Sequence, residues 1–144
     1  MSFQWLEMRI AEEQDRRARQ AEILERLPRA LEELYRGLAA CVDDYTQAFG
    51  GEAAQVYLDS SKIRVVIRED TGGDWQEAAS VEIASVPSLP GFQIERGSKQ
   101  YIVEVGLLPG EKVSYKDREL DQYLTMDELT RRILDRLLFP KLSE

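Results

Sequence analysis

One run of apolar side chains constrains this chain more than any other: Leu24, Leu27, Leu31, Leu34, Leu38, Cys41 and Tyr45. Their steps alternate between three and four residues, which aligns them as a single stripe on an α-helix. The stretch from Phe3 to Phe49 supports that reading, with no glycine before Gly37 and Pro28 as its only proline. Such a stripe needs an apolar surface to cover, and the rest of the chain offers one. After Gly50-Gly51 the period shortens to two, the mark of strands with one face buried.

The helix begins well before its stripe. Ser2 is a candidate N-cap, and Phe3, Trp5, Leu6, Met8 and Ile10 follow within a few residues. From Ala11 to Gln20 no large apolar side chain occurs. Instead Glu12–Arg16, Glu13–Arg17, Asp15–Arg19 and Glu22–Arg26 stand acid-before-base at i,i+4, the favourable order on a helix. Pairs of this kind hold a helix that packs on nothing. Pro28 interrupts the pattern, because inside a helix it removes a hydrogen bond and crowds the preceding turn, at about 3 kcal/mol. The stripe keeps its register across Pro28, so a kink there, or a break with a second helix starting at Pro28, is expected rather than a hairpin.

The strands read in order as Gln55–Asp59, Lys62–Glu69, Trp75–Val86, Phe92–Glu95, Lys99–Leu107 and Glu111–Lys116. Ser60-Ser61, Asp70–Asp74, Arg96-Gly97-Ser98 and Pro109-Gly110 supply turns. Ile63, Val65 and Ile67 face away from Arg64 and Arg68. Trp75, Ala79, Val81 and Ile83 oppose Gln76, Ser80 and Glu82. Tyr101, Val103, Val105 and Leu107 alternate with Glu104 and Gly106. Asp117–Leu124 reads as an acidic connector. Thr125 followed by Glu128 forms a capping box that starts a last helix, with Leu129, Ile133 and Leu137 in its stripe and Pro140 past its end.

The expected fold is therefore α+β in one domain, 1–144. It comprises a long N-terminal helix, kinked or broken near Pro28, a meander of about six antiparallel strands covered on one face, and a C-terminal helix. In segments, 1–27 is a projecting arm, 28–50 a core helix, 53–116 the sheet and 125–139 the closing helix.

Composition excludes several functions. The chain has no histidine and a single cysteine, Cys41, so it holds neither a Ser-His-Asp nor a Cys-His triad and no Cys/His zinc site. No phosphate-binding glycine loop or EF-hand motif occurs. A net charge of −8, spread along the whole chain, argues against nucleic acid as a partner. The first residues lack a signal-peptide pattern, no stretch is apolar enough to span a membrane, and Cys41 has no internal partner; a cytoplasmic, membrane-free protein is expected.

What remains are candidates of lower specificity. Cys41 reads as a packing residue within the stripe. Asp117, Glu119 and Asp121 are the only carboxylate run to weigh for a hard cation, and a solvated connector explains them equally well. Tyr115-Lys116, and Tyr101 near Lys99, are the pairings a histidine-free enzyme would use. Leu89 and Phe92, in the Pro87–Phe92 break, form the one loop of apolar character. The tip is the most unusual feature: Phe3 lies roughly 36 Å from Pro28 along a straight helix, against a domain radius of about 15 Å.

The expected function is accordingly non-catalytic, with no cofactor and no metal: an adaptor or interaction protein that forms a homodimer or higher oligomer through the N-terminal helix. Contacts are expected at Phe3, Trp5, Leu6, Met8, Ile10, Leu89 and Phe92. The alternatives are a small-ligand or peptide module, recognisable by a cavity lined by Val and Tyr with convergent polar groups, and a carboxylate/Tyr/Lys enzyme.

Overall fold

In the computed structural model, which describes residues 1–142, helix α1 (Gln4–Phe49) precedes a seven-stranded sheet. The strands are β1 (Ala54–Asp59), β2 (Lys62–Thr71), β3 (Asp74–Val86), β4 (Gly91–Arg96), β5 (Lys99–Leu108), β6 (Lys112–Asp117) and β7 (Gln122–Leu124), and helix α2 (Met126–Leu138) closes the chain. All sheet neighbours are consecutive in sequence and antiparallel, an open meander of the α+β class.

Both helices lie on one face of the sheet. Leu27, Leu31, Leu34, Leu38 and Val42 of α1 meet a core that includes Ile63, Val65, Val81, Ile83, Val103 and Val105. Leu129, Ile133, Leu134 and Leu137 of α2 complete it. Burying each such side chain contributes about 1.5–3 kcal/mol relative to leaving it in water, which anchors the helices to the sheet. Leu24, the first residue of the expected stripe, is exposed; packing begins with half-buried Ile23 and with Leu27. On the opposite face Arg64 is exposed, and Arg68, Glu82 and Glu104 are half-buried; Gln76, expected on that face, pairs with Glu69 past the bulge in β3 and so lies on the side of Ile63, Val65 and Ile67. Ion pairs such as Arg64–Glu77 at 2.6 Å and Arg118–Glu104 at 2.7 Å tie neighbouring outer-face side chains together.

Pro28 does not divide the helix. α1 is continuous through it, so no second helix starts there. The proline is exposed, while Leu27 and Leu31 on either side are buried. Burial of the stripe thus holds both sides of the helix in place and offsets the hydrogen bond that Pro28 cannot donate. Farther along, α1 and α2 approach closely at Gly37, where a Cβ would lie 3.1 Å from the Thr130 methyl group.

Two further departures from expectation have local causes. Ile67 pairs with Ala79 but Arg68 with Glu77, so Ala78 is an extra residue and the alternation resets. Trp75 consequently faces Asp70, on the side of Arg68, and not with Ala79, Val81 and Ile83. The expected acidic connector contains β7, which makes seven strands and extends the sheet beyond residue 116. Asp117 organises this turn: it is fully buried, and its Oδ1 accepts hydrogen bonds from the Glu119 and Leu120 amides at 2.9 and 3.1 Å. Its Oδ2 accepts from Arg132 Nε of α2 at 2.8 Å. The Thr125–Glu128 capping box then forms with both of its hydrogen bonds, 3.1 and 3.2 Å.

Candidate functional site

The first part of α1, from Gln4 to Glu22, spans roughly 28 Å at 1.5 Å per residue and buries no side chain on the sheet. Its own charges clothe it. Glu13 takes Arg16 at 2.7 Å and Arg17 at 3.1 Å, Arg9 takes Glu12 at 2.8 Å, and Arg16 also donates to Gln20. The hydrogen bonds from Arg16 and Arg17 hold the Glu13 carboxyl down at about 2, well below its ordinary value. Of the pairs expected from spacing, Glu13–Arg17 forms; Glu12 turns back to Arg9, a neighbour at i,i+3 that competes equally well on a helix surface. Arg26 reaches across to Glu111 in the β5–β6 turn at 3.1 Å, which marks where the arm joins the body.

At the arm's end Phe3, Trp5, Leu6, Met8 and Ile10 are all exposed, Trp5 at 66% and Met8 at 58%. At 100° per residue, Phe3, Leu6 and Ile10 share one face of the helix and Trp5 and Met8 point to another. The tip is therefore apolar on two sides.

A second apolar feature lies at the opposite end of α1. A cleft of about 490 Å³ runs between the last turns of α1 and α2. Cys41, Tyr45 and Phe49 form one wall, and Leu134, Leu138 and Phe139 the other. Tyr45 lies 4.9 Å from the Phe49 ring and 5.7 Å from the Phe139 ring, so the cleft has an aromatic end. Phe49 is 60% exposed, and Asp44, Asp127, Asp135 and Arg131 line the rim, Arg131 lying 3.7 Å from the Asp135 carboxylate. Cys41, expected as a packing residue, is half-buried at this wall and packs against the core.

The loop candidates separate. Leu89 is half-buried in the turn before β4, where its amide donates to the Val86 carbonyl. Phe92 is not on a loop surface: it is fully buried in β4, its ring 6.2 Å from that of Tyr115. Gly91 starts the strand one residue earlier than expected, and the alternation turns Phe92 inward. In this conformation Phe92 contributes to the core and has no surface to offer a partner.

Of the residues considered for catalysis, Tyr101, Lys99 and Glu119 line one cleft between the β4–β5 hairpin and α2, whereas the Tyr115-Lys116 pair is split across the sheet. Tyr115 is buried under the helices, whereas Lys116 lies on the outer face with Asp121 at 3.0 Å and the Tyr123 ring at 5.6 Å. Asp117 is engaged by two amides and Arg132, and Glu119 reaches that same arginine at 3.4 Å. Among the described residues no group of three or more Cys, Asp or Glu side chains is placed to hold a metal ion. No helix among them is long and apolar enough to cross a membrane.

No family model, curated protein or solved structure matches the chain. The cleft at Tyr45, Phe49, Leu134, Leu138 and Phe139 was not legible as a site in the sequence. Its traces were Cys41 and Tyr45 at the end of the stripe and Phe49, which continues it one turn past Tyr45. Its second wall comes from residues some ninety positions away.

Proposed function

We propose that this chain is a non-catalytic interaction protein that pairs with a second copy of itself by exchange of α1 arms. The observation that carries the reading is the tip: five large apolar side chains exposed together on an arm with no contact of its own. The occupant follows from helix length. When two copies of α1 lie antiparallel with ends matched, Gln4 of one is level with Phe49 of the other. Trp5 then falls beside Ala48, Met8 beside Tyr45, and Arg9 beside Asp44, whose carboxylate has no ion-pair partner among the described residues.

A tip that is apolar on two sides suits a cleft walled by two helices, and charge complements charge at its rim. The arrangement is two-fold and closed, so both tips are buried at once. Each buried side chain contributes about 1.5–3 kcal/mol, enough for a handful to hold a dimer against the entropy of association.

Light scattering at tens of micromolar tests this directly. The unmodified chain is expected as a dimer, and Trp5→Asp with Leu6→Asp as a folded monomer. Register is tested by Glu12→Cys, which the antiparallel match places level with the partner's Cys41. Mild oxidation should give a covalent dimer, and Cys41→Ser should abolish it. A monomer for the unmodified chain sinks the proposal.

A further inference from the structure

Within the acidic chain, the β4–β5 hairpin and α2 bring several cations together. The β4–β5 hairpin turns through Gly97-Ser98, with Gly97 at φ 60°, and this tight turn sets Arg96 directly opposite Lys99. Like charges in direct cross-strand register repel, and among the described residues neither has an ion-pair partner. Across from them α2 presents Arg132 and Arg136 one turn apart, a second like-charged pair at i,i+4. Arg136 is also without an ion pair among the described residues, although the chain contains 27 acidic side chains.

These four cations line one cleft of about 520 Å³. Arg132 is fixed within it by Asp117 at 2.8 Å, and its guanidinium lies 4.4 Å from the centre of the Tyr101 ring. Burial works against the Arg132 charge, but the hydrogen bond and the charge of Asp117 outweigh it and raise its pKa. Glu119, the one carboxylate at the rim, is spent on Arg132 as well. The half-buried Tyr101 ring, backed by the buried side chains of Val81 and Ile133, supplies apolar surface beside the charges.

We propose that this cleft binds a small organic phosphate monoester. Arg96, Lys99 and Arg136 meet the phosphate, and the carbon body of the ligand rests against the half-buried Tyr101 ring. Three uncompensated cations call for a dianion. A phosphate ester supplies nearly two negative charges at neutral pH and three acceptor oxygens, which Arg forks engage in pairs. A monocarboxylate would leave two of the cations unmatched. A nucleic acid would meet four cations on a chain of net charge −8 and be repelled beyond the cleft.

The test is thermal unfolding and calorimetry of the full chain with phenyl phosphate, inorganic phosphate and phenyl sulfate, each at chloride-matched ionic strength. Phenyl phosphate should raise the melting temperature saturably, and more than either other probe. Arg96→Gln with Arg136→Gln, both at surface positions, should weaken phenyl phosphate at least about tenfold. The ligand-free double variant should melt no lower than the parent, because like-charge repulsion has been removed.

Lowering the pH from about 7.5 to about 5 should weaken binding several-fold as the phosphate takes up its second proton. The titratable groups that face the phosphate are Arg96, Lys99, Glu119, Arg132, Arg136 and Tyr101; of these Arg132, with its raised pKa, and Tyr101, pushed up to about 12, do not change charge over that range. A shift that chloride reproduces, a shift the double variant retains, or no saturable shift would each overturn the proposal.

Discussion

Residues Glu12–Gln20 and Leu27–Val42 lie on the same helix, the first clothed by its own salt bridges and the second by the sheet and α2. The arm's helicity comes from terms within a few residues: propensity and pairs such as Glu13 with Arg16 and Arg17. In the second stretch side chains far away in sequence supply the stabilisation, strongly enough to carry the helix through Pro28. Secondary structure is identical in the two, but cooperativity is not. The core half should unfold with the sheet, whereas the arm can fray by itself unless a partner covers it.

The strongest test of that contrast is a pair of truncations. Leu34→Ala should destabilise the chain by about 2–5 kcal/mol in urea unfolding, because it empties a fully packed site. Leu6→Ala, measured at dilution where copies are separate, should leave the unfolding of the sheet unmoved. Equal losses would erase the distinction.

A second test uses alkali. Burial pushes Tyr101 and Tyr115 up to about 12 from 10.0, with Arg132 acting against the shift at Tyr101 and Glu33 adding to it at Tyr115. Below pH 10 both are neutral whether the chain is folded or unfolded. Between 10 and 12 the unfolded chain loses these protons first, so stability falls as pH rises, by up to about 2–3 kcal/mol for each tyrosine. Tyr115→Phe should move the alkaline transition upward, and at neutral pH it should cost little, since the Tyr115 hydroxyl is buried with no hydrogen-bond partner among the described residues. The arm should not respond in this range.

Hydrogen exchange resolves the two stretches directly. Amides of Leu31–Val42 should exchange only on global unfolding, and those of Glu12–Gln20 much sooner in the monomer, with protection rising on dimerisation. Uniform protection of α1 in a monomer would break the comparison.

The smallest effect is expected in acid. Glu13 is held at about 2, so the support its carboxylate gives the arm is complete above its ordinary value of 4.5 and lost as pH falls toward 2. Far-UV circular dichroism of Glu13→Gln should show slightly less helix at neutral pH and a flatter acid transition, with the sheet unaffected.

The sequence by itself determined what depends on near neighbours. The stripe from Leu27 to Tyr45, the Ser60-Ser61 and Gly97-Ser98 turns, the one-sided alternation of the strands and the Thr125–Glu128 capping box are signals contained within a few residues, and each formed. Tertiary structure decided the rest. The burial of Phe92, the bulge at Ala78 and the continuity of α1 through Pro28 depend on what packs or pairs opposite.

Strand β7 exists because Asp117 is enclosed and takes its hydrogen bonds from its own turn and from Arg132, fifteen residues away. Neither cleft was visible as a site for the same reason. Tyr45 with Leu134, and Arg96 with Arg136, become neighbours only once helices and hairpin share one side of the sheet. Periodicity records which face of an element is apolar; it carries no information about which distant side chains that face will meet.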